Sequence, residues 1–367
     1  MIVFGFYQFL LTLFLLSLSA LCFYFGFKYY INFAIKNDII DPAGKVNGVN
    51  KHNVARGGGF VLVVLSAIFA MFCVFCCNNF VFHEVLNYSL SMSEFYFIGF
   101  ITIVLSGVFF VEDVYGVSIK SRLFTQFCIA FAGYLILWNQ VSDVLYFLPI
   151  YISCPLYIIG TMWFMNLYNF MDGVDLMSVM ETGFISGMIA IFYFVSFFLF
   201  HKSGLFISYN FMFAIFVLIG VGVFGFFFNK TPAKLFLGDS GSVAIGYLMS
   251  VLLVKFAYDF GLIYALILPL YYIMDTGVTI LTRLINREKV WLPSYGSHYY
   301  HKAKIAGVSA HRIVLKVFVV NCILGVIMIW NYFVFKYNPL LILLIGLVLV
   351  MNLMFKFKTA GKFLVKE

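Results

Sequence analysis

Apolar residues along this chain come in long, nearly unbroken runs, and the polar residues are gathered between them. The pattern alternates neither every second residue nor as a single helical stripe, so it does not describe elements with one wet face. A run of about 20 apolar residues is what a helix needs to cross a bilayer. Eleven runs qualify: 3–30, 60–77, 95–111, 124–138, 146–165, 183–200, 209–228, 242–258, 261–281, 313–335 and 339–355. The shortest, 124–138, must borrow residues from its flanks, and only Asp259 and Phe260 part the eighth run from the ninth. The first run is too long and lacks the basic start of a cleavable leader, so it is expected to remain as a span. No internal repeat and no long polar segment is visible. The pattern predicts an all-α, polytopic membrane protein of about eleven spanning helices, organised as one unit over residues 1–367.

Composition narrows this further. The chain is 64% hydrophobic and 10% charged, whereas soluble domains are roughly 45–50% apolar and about 25% charged. A soluble fold and a disordered chain are both excluded. The net charge of +8 suggests nucleic acid until its placement is read. The stretches 31–59, 112–123, 166–182, 229–241 and 282–312, with the tail 356–367, hold 18 of the 23 Lys and Arg residues. The opposite set of loops holds Lys202 and Lys336, and Lys28, Lys255 and Lys316 lie near span ends. This bias is a topology signal: the rich set is cytoplasmic, the N-terminus outside and the C-terminus inside. No nucleic-acid partner is implied. Cys73, Cys76 and Cys77 read as small apolar helix residues, since no second Cys pair stands near them.

The same loops carry most of the chemistry. Glu112-Asp113 follows directly on an apolar run, with Lys120 and Arg122 just beyond; adjacent carboxylates at a membrane surface attract a cation or a proton. Asn166, Asn169 and Asp172 are three apart and share a helix face, with Gly173 and Asp175 following. Polar groups crowded where an apolar run stops are costly to bury unpaired and point to function. Gly238-Asp239-Ser240-Gly241-Ser242 leads into the run 242–258. Its glycines admit an anion, Asp239 can hold a metal, and the segment also reads as a helix cap. His298, His301, Lys302 and Lys304, flanked by Arg283, suit phosphate, and their aromatic neighbours suit a base or a sugar. Lipid headgroup contact is the competing reading there. Arg56-Gly57-Gly58-Gly59 fits a turn that also touches phosphate. Asp275, inside the run 261–281, is expected to face the bundle interior near its cytoplasmic end.

The segments N166-xx-NFxDGxD175 and F236-xGDxGS242, in this order, resemble those of the polyprenyl-phosphate N-acetylhexosamine-1-phosphate transferases of the glycosyltransferase 4 family. EDVYGVSIKSRLFTQ (112–126) and HYYHKAKIAG (298–307) are similar to the O-antigen-initiating branch rather than to the phospho-N-acetylmuramoyl-pentapeptide branch. The run Ser297–Tyr300 with Trp291 resembles members acting on 6-deoxy amino sugars. Departures from the family pattern are Glu112, Leu176, Tyr300 and the segment before the glycines, with Asn47, Asn50, Asn53 and Ala55. The resemblance implies transfer of a sugar 1-phosphate from a UDP-N-acetyl amino sugar to undecaprenyl phosphate, with release of UMP. It implies a bacterial cytoplasmic (inner) membrane protein working on its cytoplasmic face, in contact with membrane lipid, with a homodimer possible. Mg²⁺, or Mn²⁺, would be held by Asp239 and Asn169. Asp113, Glu112 and Asp172 would be catalytic, and Asp175, Asn166, Lys120, Arg122, His298, His301 and Arg283 would bind substrate. A catalytically inactive relative acting as an assembly partner, and an anion transporter, are the other two readings; the absence of a repeat and of midplane polar groups speaks against the transporter.

Overall fold

The computed structural model describes residues 2–41, 53–76, 92–200, 209–288 and 296–364. Its helices are α1 (Ile2–Lys36), α2 (Gly58–Cys76), α3 (Met92–Tyr115), α4 (Ile119–Val144), α5 (Ile150–Met171), α6 (Met177–Phe200) and α7 (Tyr209–Phe224). They continue as α8 (Asp239–Phe260), α9 (Leu262–Ile267), α10 (Leu270–Ile285), α11 (Tyr299–Ile305), α12 (Ala310–Trp330) and α13 (Pro339–Leu364). Wide π turns extend α7 over Gly225–Asn229 and α12 over Asn331–Phe335. Two residues each of β1 (Ile40–Asp41) and β2 (Val54–Ala55) pair antiparallel. The all-α, polytopic expectation therefore holds, with ten helices among the described residues long and apolar enough to cross a membrane.

The eleven runs map onto ten continuous spans and one interrupted span. The ninth run is split into α9 and α10 around Leu268-Pro269, because proline has no N–H to donate and its ring clashes with the preceding turn. The break between the eighth and ninth runs falls at Gly261, whose φ of 109° is open to glycine and costly for other residues. Its N–H closes α8 on the Ala257 carbonyl at 2.8 Å. The fourth span does borrow from its flanks, running from Ile119 to Val144.

Helix α8 is the axle of the bundle. Residues on all its sides are buried, from Ser240 to Phe260, and it packs against α2, α3, α4, α5, α6 and α7. A helix apolar all round belongs in a core. Its N-terminus therefore emerges in the middle of one end of the bundle, where the polar segments named above converge.

Those segments are less loop-like than the sequence suggests. Helix α3 runs through Glu112 and Asp113 to Tyr115, and Ser118 caps α4, its Oγ accepting from the Ser121 N–H at 3.2 Å. Glu112 and Asp113 thus sit on the last turn of α3, and Lys120 and Arg122 on the first turns of α4. The stretch 112–123 is non-helical only at 116–118. Helices continue past the end of hydrophobicity because their backbone bonds are internal and need no apolar surroundings.

Candidate active site

Two chain segments that look unrelated in sequence run side by side here. Phe236 N–H donates to Ala55 O at 2.8 Å, Gly58 N–H to Phe236 O at 2.9 Å, and Gly59 N–H to Leu237 O at 2.8 Å. The glycines allow this approach. A Cβ on Gly59 would lie 2.1 Å from the Gly241 Cα, and one on Gly238, where φ is 75°, would lie 2.7 Å from Asp113 Oδ2. The result sets Arg56 beside the N-terminus of α8.

Asp113 is fully buried and committed. Its Oδ1 accepts from the Asp239 N–H and its Oδ2 from the Ser240 N–H, both at 3.0 Å, so it caps α8 from a neighbouring helix. Arg56 Nη2 sits 2.7 Å from Asp113 Oδ1, 3.7 Å from Asp239 Oδ1, and its Nη1 is 3.8 Å from Asp41 Oδ1. Burial works against the Arg56 charge, yet Asp113, Asp239 and Asp41 outweigh it and hold the guanidinium above its ordinary pKa. Both carboxylate oxygens of Asp113 are thus engaged by the start of α8, and Oδ1 by Arg56 as well.

Asp239 and Asn169, predicted to act together, meet: Asn169 Nδ2 donates to Asp239 Oδ1 at 2.8 Å and to Ser242 Oγ at 3.0 Å. Arg122 ties the remaining acidic group in. Its Nη1 is 3.2 Å from both Glu112 Oε1 and Asp239 Oδ2, and its Nη2 donates to Asn169 Oδ1 at 3.1 Å. Glu112 thus reaches Arg122, so this departure from the family pattern has a partner.

A cavity of about 260 Å³ adjoins this network, lined by Asp41, Arg56, Asn169, Asp172, Asp175, Asn229, Asp239 and Lys304 among others. Burial pushes the Asp172 carboxyl up to about 8; Ser178 opposes the shift, and Asp239, Asp113 and Asp175 add to it. The surplus of acid oxygens is the setting in which a divalent cation binds. Among the described residues no three His, Cys, Asp or Glu side chains form a ready metal cluster. Asp239 offers carboxylate oxygens, and Asn169 its amide Oδ1, which here accepts from Arg122. That fits Mg²⁺, which takes one or two carboxylates and keeps waters and substrate phosphates for the rest. It does not fit a zinc site.

The remaining predicted residues separate into three groups. Asp175 lines the cavity. Asn166 does not: its Nδ2 donates to Gln126 Oε1 at 2.8 Å, and Gln126 Nε2 returns a bond at 3.3 Å, fastening α4 to α5. Lys120 is exposed on α4, and Arg283 is buried on α10 with its Nε 3.2 Å from Glu288 Oε2; neither lines the cavity. His298 and His301 belong to a support behind it. Asp275 is fully buried, as expected, and accepts from the Tyr299 N–H at 3.0 Å, the Tyr300 N–H at 3.2 Å and the Tyr271 hydroxyl at 2.9 Å. His298 Nδ1 lies 3.2 Å from it. This fixes α11, whose Tyr300 hydroxyl donates to Phe170 O at 2.7 Å, closing the end of α5. Tyr300, another departure, is therefore built in. Burial and then His298 lower the His301 pKa to about 3, against the pull of Asp275.

Arg56, Asp41, Asn229 and Lys304 complete the cavity. Arg56 carried only a weak signal in sequence, since its partners are remote along the chain. Asn229 accepts from the Leu176 N–H at 2.8 Å and donates to Leu235 O at 3.0 Å. It supports Leu176, which holds a φ of 68° where the family pattern has glycine. Trp291, Asn47, Asn50, His52 and Cys77 lie outside the described residues.

Residues 95–257 match the family model described as Glycosyl transferase family 4. The match takes in α3 to α8, hence Glu112, Asp113, Arg122, Asn169, Asp172 and Asp239. Over these residues the chain is similar to glycosyl transferase family 4. The chain is 30% identical over 104 residues to a probable undecaprenyl-phosphate N-acetylglucosaminyl 1-phosphate transferase of Bacillus subtilis, covering 27% of this chain and 29% of that protein. It is 24% identical over 235 residues to the phospho-N-acetylmuramoyl-pentapeptide-transferase of Lactococcus lactis, covering 60% of this chain and 67% of the relative. The enzyme of the same name from Thermotoga maritima is 26% identical over 174 residues, 47% of this chain and 51% of the relative. For the Bacillus and Thermotoga proteins the chain thus covers well under two thirds of the relative. Relatives of both branches appear, so the branch is not resolved by them.

Proposed function

We propose that this chain is a glycosyl transferase of the family 4 type and transfers an N-acetylhexosamine 1-phosphate from a UDP-sugar to undecaprenyl phosphate, releasing UMP. The observation that carries this reading is the joining of Asn169, Asp239, Arg122 and Glu112 into one network beside an acidic and basic cavity at one end of a membrane bundle. A water-soluble donor and a membrane acceptor can meet only at such an interface. The Lys and Arg bias supports the cytoplasmic face of the inner membrane. The similarity of 112–126 and 298–307 supports the O-antigen-initiating branch and an amino-sugar donor, including 6-deoxy sugars.

In the reaction a lipid phosphate oxygen attacks the sugar-bearing β-phosphorus. A new P–O bond forms as the bond from that phosphorus to the bridging oxygen breaks, and UMP leaves with the bridging oxygen. The main barrier is the repulsion of two anions. Arg56, Arg122 and Lys304 supply positive charge around the cavity, which lowers it. Asp113 holds Arg56 and the start of α8 in place, so positioning is its share. Asp172 and Asp175 face the same cavity and orient the donor. Asp239 and Asn169 would hold Mg²⁺, which would neutralise the diphosphate as charge moves to the leaving group. The phosphate monoester is largely ionised at neutral pH, with a second pKa of about 6, so no strong base is required.

The test is UMP release by purified protein with undecaprenyl phosphate, Mg²⁺ and a panel of UDP-N-acetyl amino sugars, with and without chelator. Lipid-dependent, chelator-sensitive release with one donor is the expected result. Silence with every donor, beside an active relative, would overturn it.

A further inference from the structure

Behind Asp172, away from the cavity, lies a second polar cluster that the proposed reaction does not use. Tyr168 of α5, Ser178, Glu181 and Thr182 of α6, Tyr272 of α10 and Asn321 of α12 are all buried to within 3% of complete. Glu181 Oε2 accepts from Asn321 Nδ2 at 2.7 Å. Its other oxygen and the hydroxyls of Tyr168, Tyr272, Ser178 and Thr182 close no well-formed hydrogen bond among the described residues; Thr182 makes only a loose contact with Tyr168, and Ser178 with Tyr272 and Asp172. These groups are neighbours. The Tyr168 and Tyr272 rings meet edge-on with centroids 5.3 Å apart, Thr182 lies beside the Tyr168 hydroxyl, and Glu181 is within electrostatic reach of both tyrosines. Ser178 lies between the Tyr272 hydroxyl and the Asp172 carboxyl.

Tying α6 to α12 needs only one carboxyl oxygen, and a neutral amide would do it without placing an acid at this depth. Five oxygens buried together without a well-formed direct partner are the usual setting of enclosed, bridging water. We propose that Glu181 is a positioning residue, acting on the Asp172 carboxyl through a water-bridged path over Tyr272 and Ser178. The path ends on a side chain that lines the cavity, so it fixes where that carboxyl points when the donor is bound. This inference rests on the transferase reading for its effect on turnover, but not for the linkage itself.

The experiment uses the full chain in detergent, with Ser178→Ala, Tyr272→Phe and the near-isosteric Glu181→Gln. Each is expected to lower kcat about tenfold while KM for the donor stays within about twofold, as misplacement of a group near the reacting atoms does. The double variant Glu181→Gln/Ser178→Ala should lose no more than the worse single, since both act on one path. Losses that multiply in the double variant, or that appear only as less folded protein, overturn the proposal. A second readout needs no substrate: the infrared carboxyl band of Asp172, assigned by its disappearance in Asp172→Asn. It should shift in Ser178→Ala and in Glu181→Gln, and a band that stays in place in both overturns the linkage. A shifted band in a protein that turns over no donor supports the linkage and counts against the transferase reading alone.

Discussion

At the scale of single residues, Asp113 and Asp239 are both acids near Arg56, yet they do different work. Both oxygens of Asp113 are spent on the N–H groups of Asp239 and Ser240, and its side chain is wholly buried. Asp113→Asn takes an acceptor from the start of α8 and leaves Arg56 poorly paired, a loss of about 3 kcal/mol. It is expected to lower the melting temperature in detergent as well as activity. Asp239 is partly open to the cavity, so Asp239→Asn should abolish UMP release while changing melting by far less. Near wild-type release from that variant would end the metal assignment. Titration separates two other side chains. Asp172 is held neutral up to about 8 rather than 3.8, so its contribution to stability is full below its ordinary pKa and lost as pH rises through about 8. His301 is held neutral down to about 3 rather than 6.5; its contribution is present above 6.5 and is lost as pH falls toward 3. Metal-free melting should therefore decline on both sides, and Asp172→Asn should remove the alkaline decline. An alkaline limb unchanged in that variant would refute the assignment.

Among the elements, the decisive contact is backbone against backbone. The start of α2 meets the start of α8 at Gly59 and Gly241, where a Cβ on Gly241 would stand 2.5 Å from the Gly59 Cα. Rigid helix ends cannot yield by that much without separating. Gly59→Ala and Gly241→Ala are each expected to pull Arg56 away from Asp113 and Asp239, seen as lost activity and broadened elution on size exclusion. Gly160 has open space around its missing Cβ, so Gly160→Ala serves as the control and should elute and react as the parent does. A second element-scale feature is α11, a short helix whose start is pinned by Asp275 of α10 and whose Tyr300, His301 and Ala303 are buried. It brings Lys304 to the cavity and Tyr300 to the end of α5.

For the whole molecule, one end of the bundle gathers the acids, the arginines and α11. The Lys and Arg bias supports the proposal that this end faces the cytoplasm. A cysteine replacing Lys336, in a background without the native cysteines, should be labelled by an impermeant thiol reagent added outside intact cells. One replacing Lys358, on α13 beyond the apolar stretch, should be protected until the cells are opened. The reverse pattern would invert the topology.

The sequence by itself determined what depends on solvent and on local spacing. Long apolar runs settle a helical membrane fold, since the bilayer leaves no partner for backbone groups outside a helix or closed barrel. Spacing of three set Asn169 and Asp172 near one helix end, and a buried Asp275 followed from its depth in an apolar run. What the tertiary structure alone decided concerns contacts between remote segments. Arg56 meets Asp113 and Asp239 because two glycine-bearing strands of chain run side by side, and nothing local records that. Asn166 turned inward to Gln126, and Arg283 turned to Glu288, because side-chain direction is fixed by neighbouring helices rather than by residue type. The hydroxyl cluster around Glu181 draws on four helices at once. Hydrophobic burial is a property of each segment and is written in its composition; pairing of polar groups is a property of the assembled bundle.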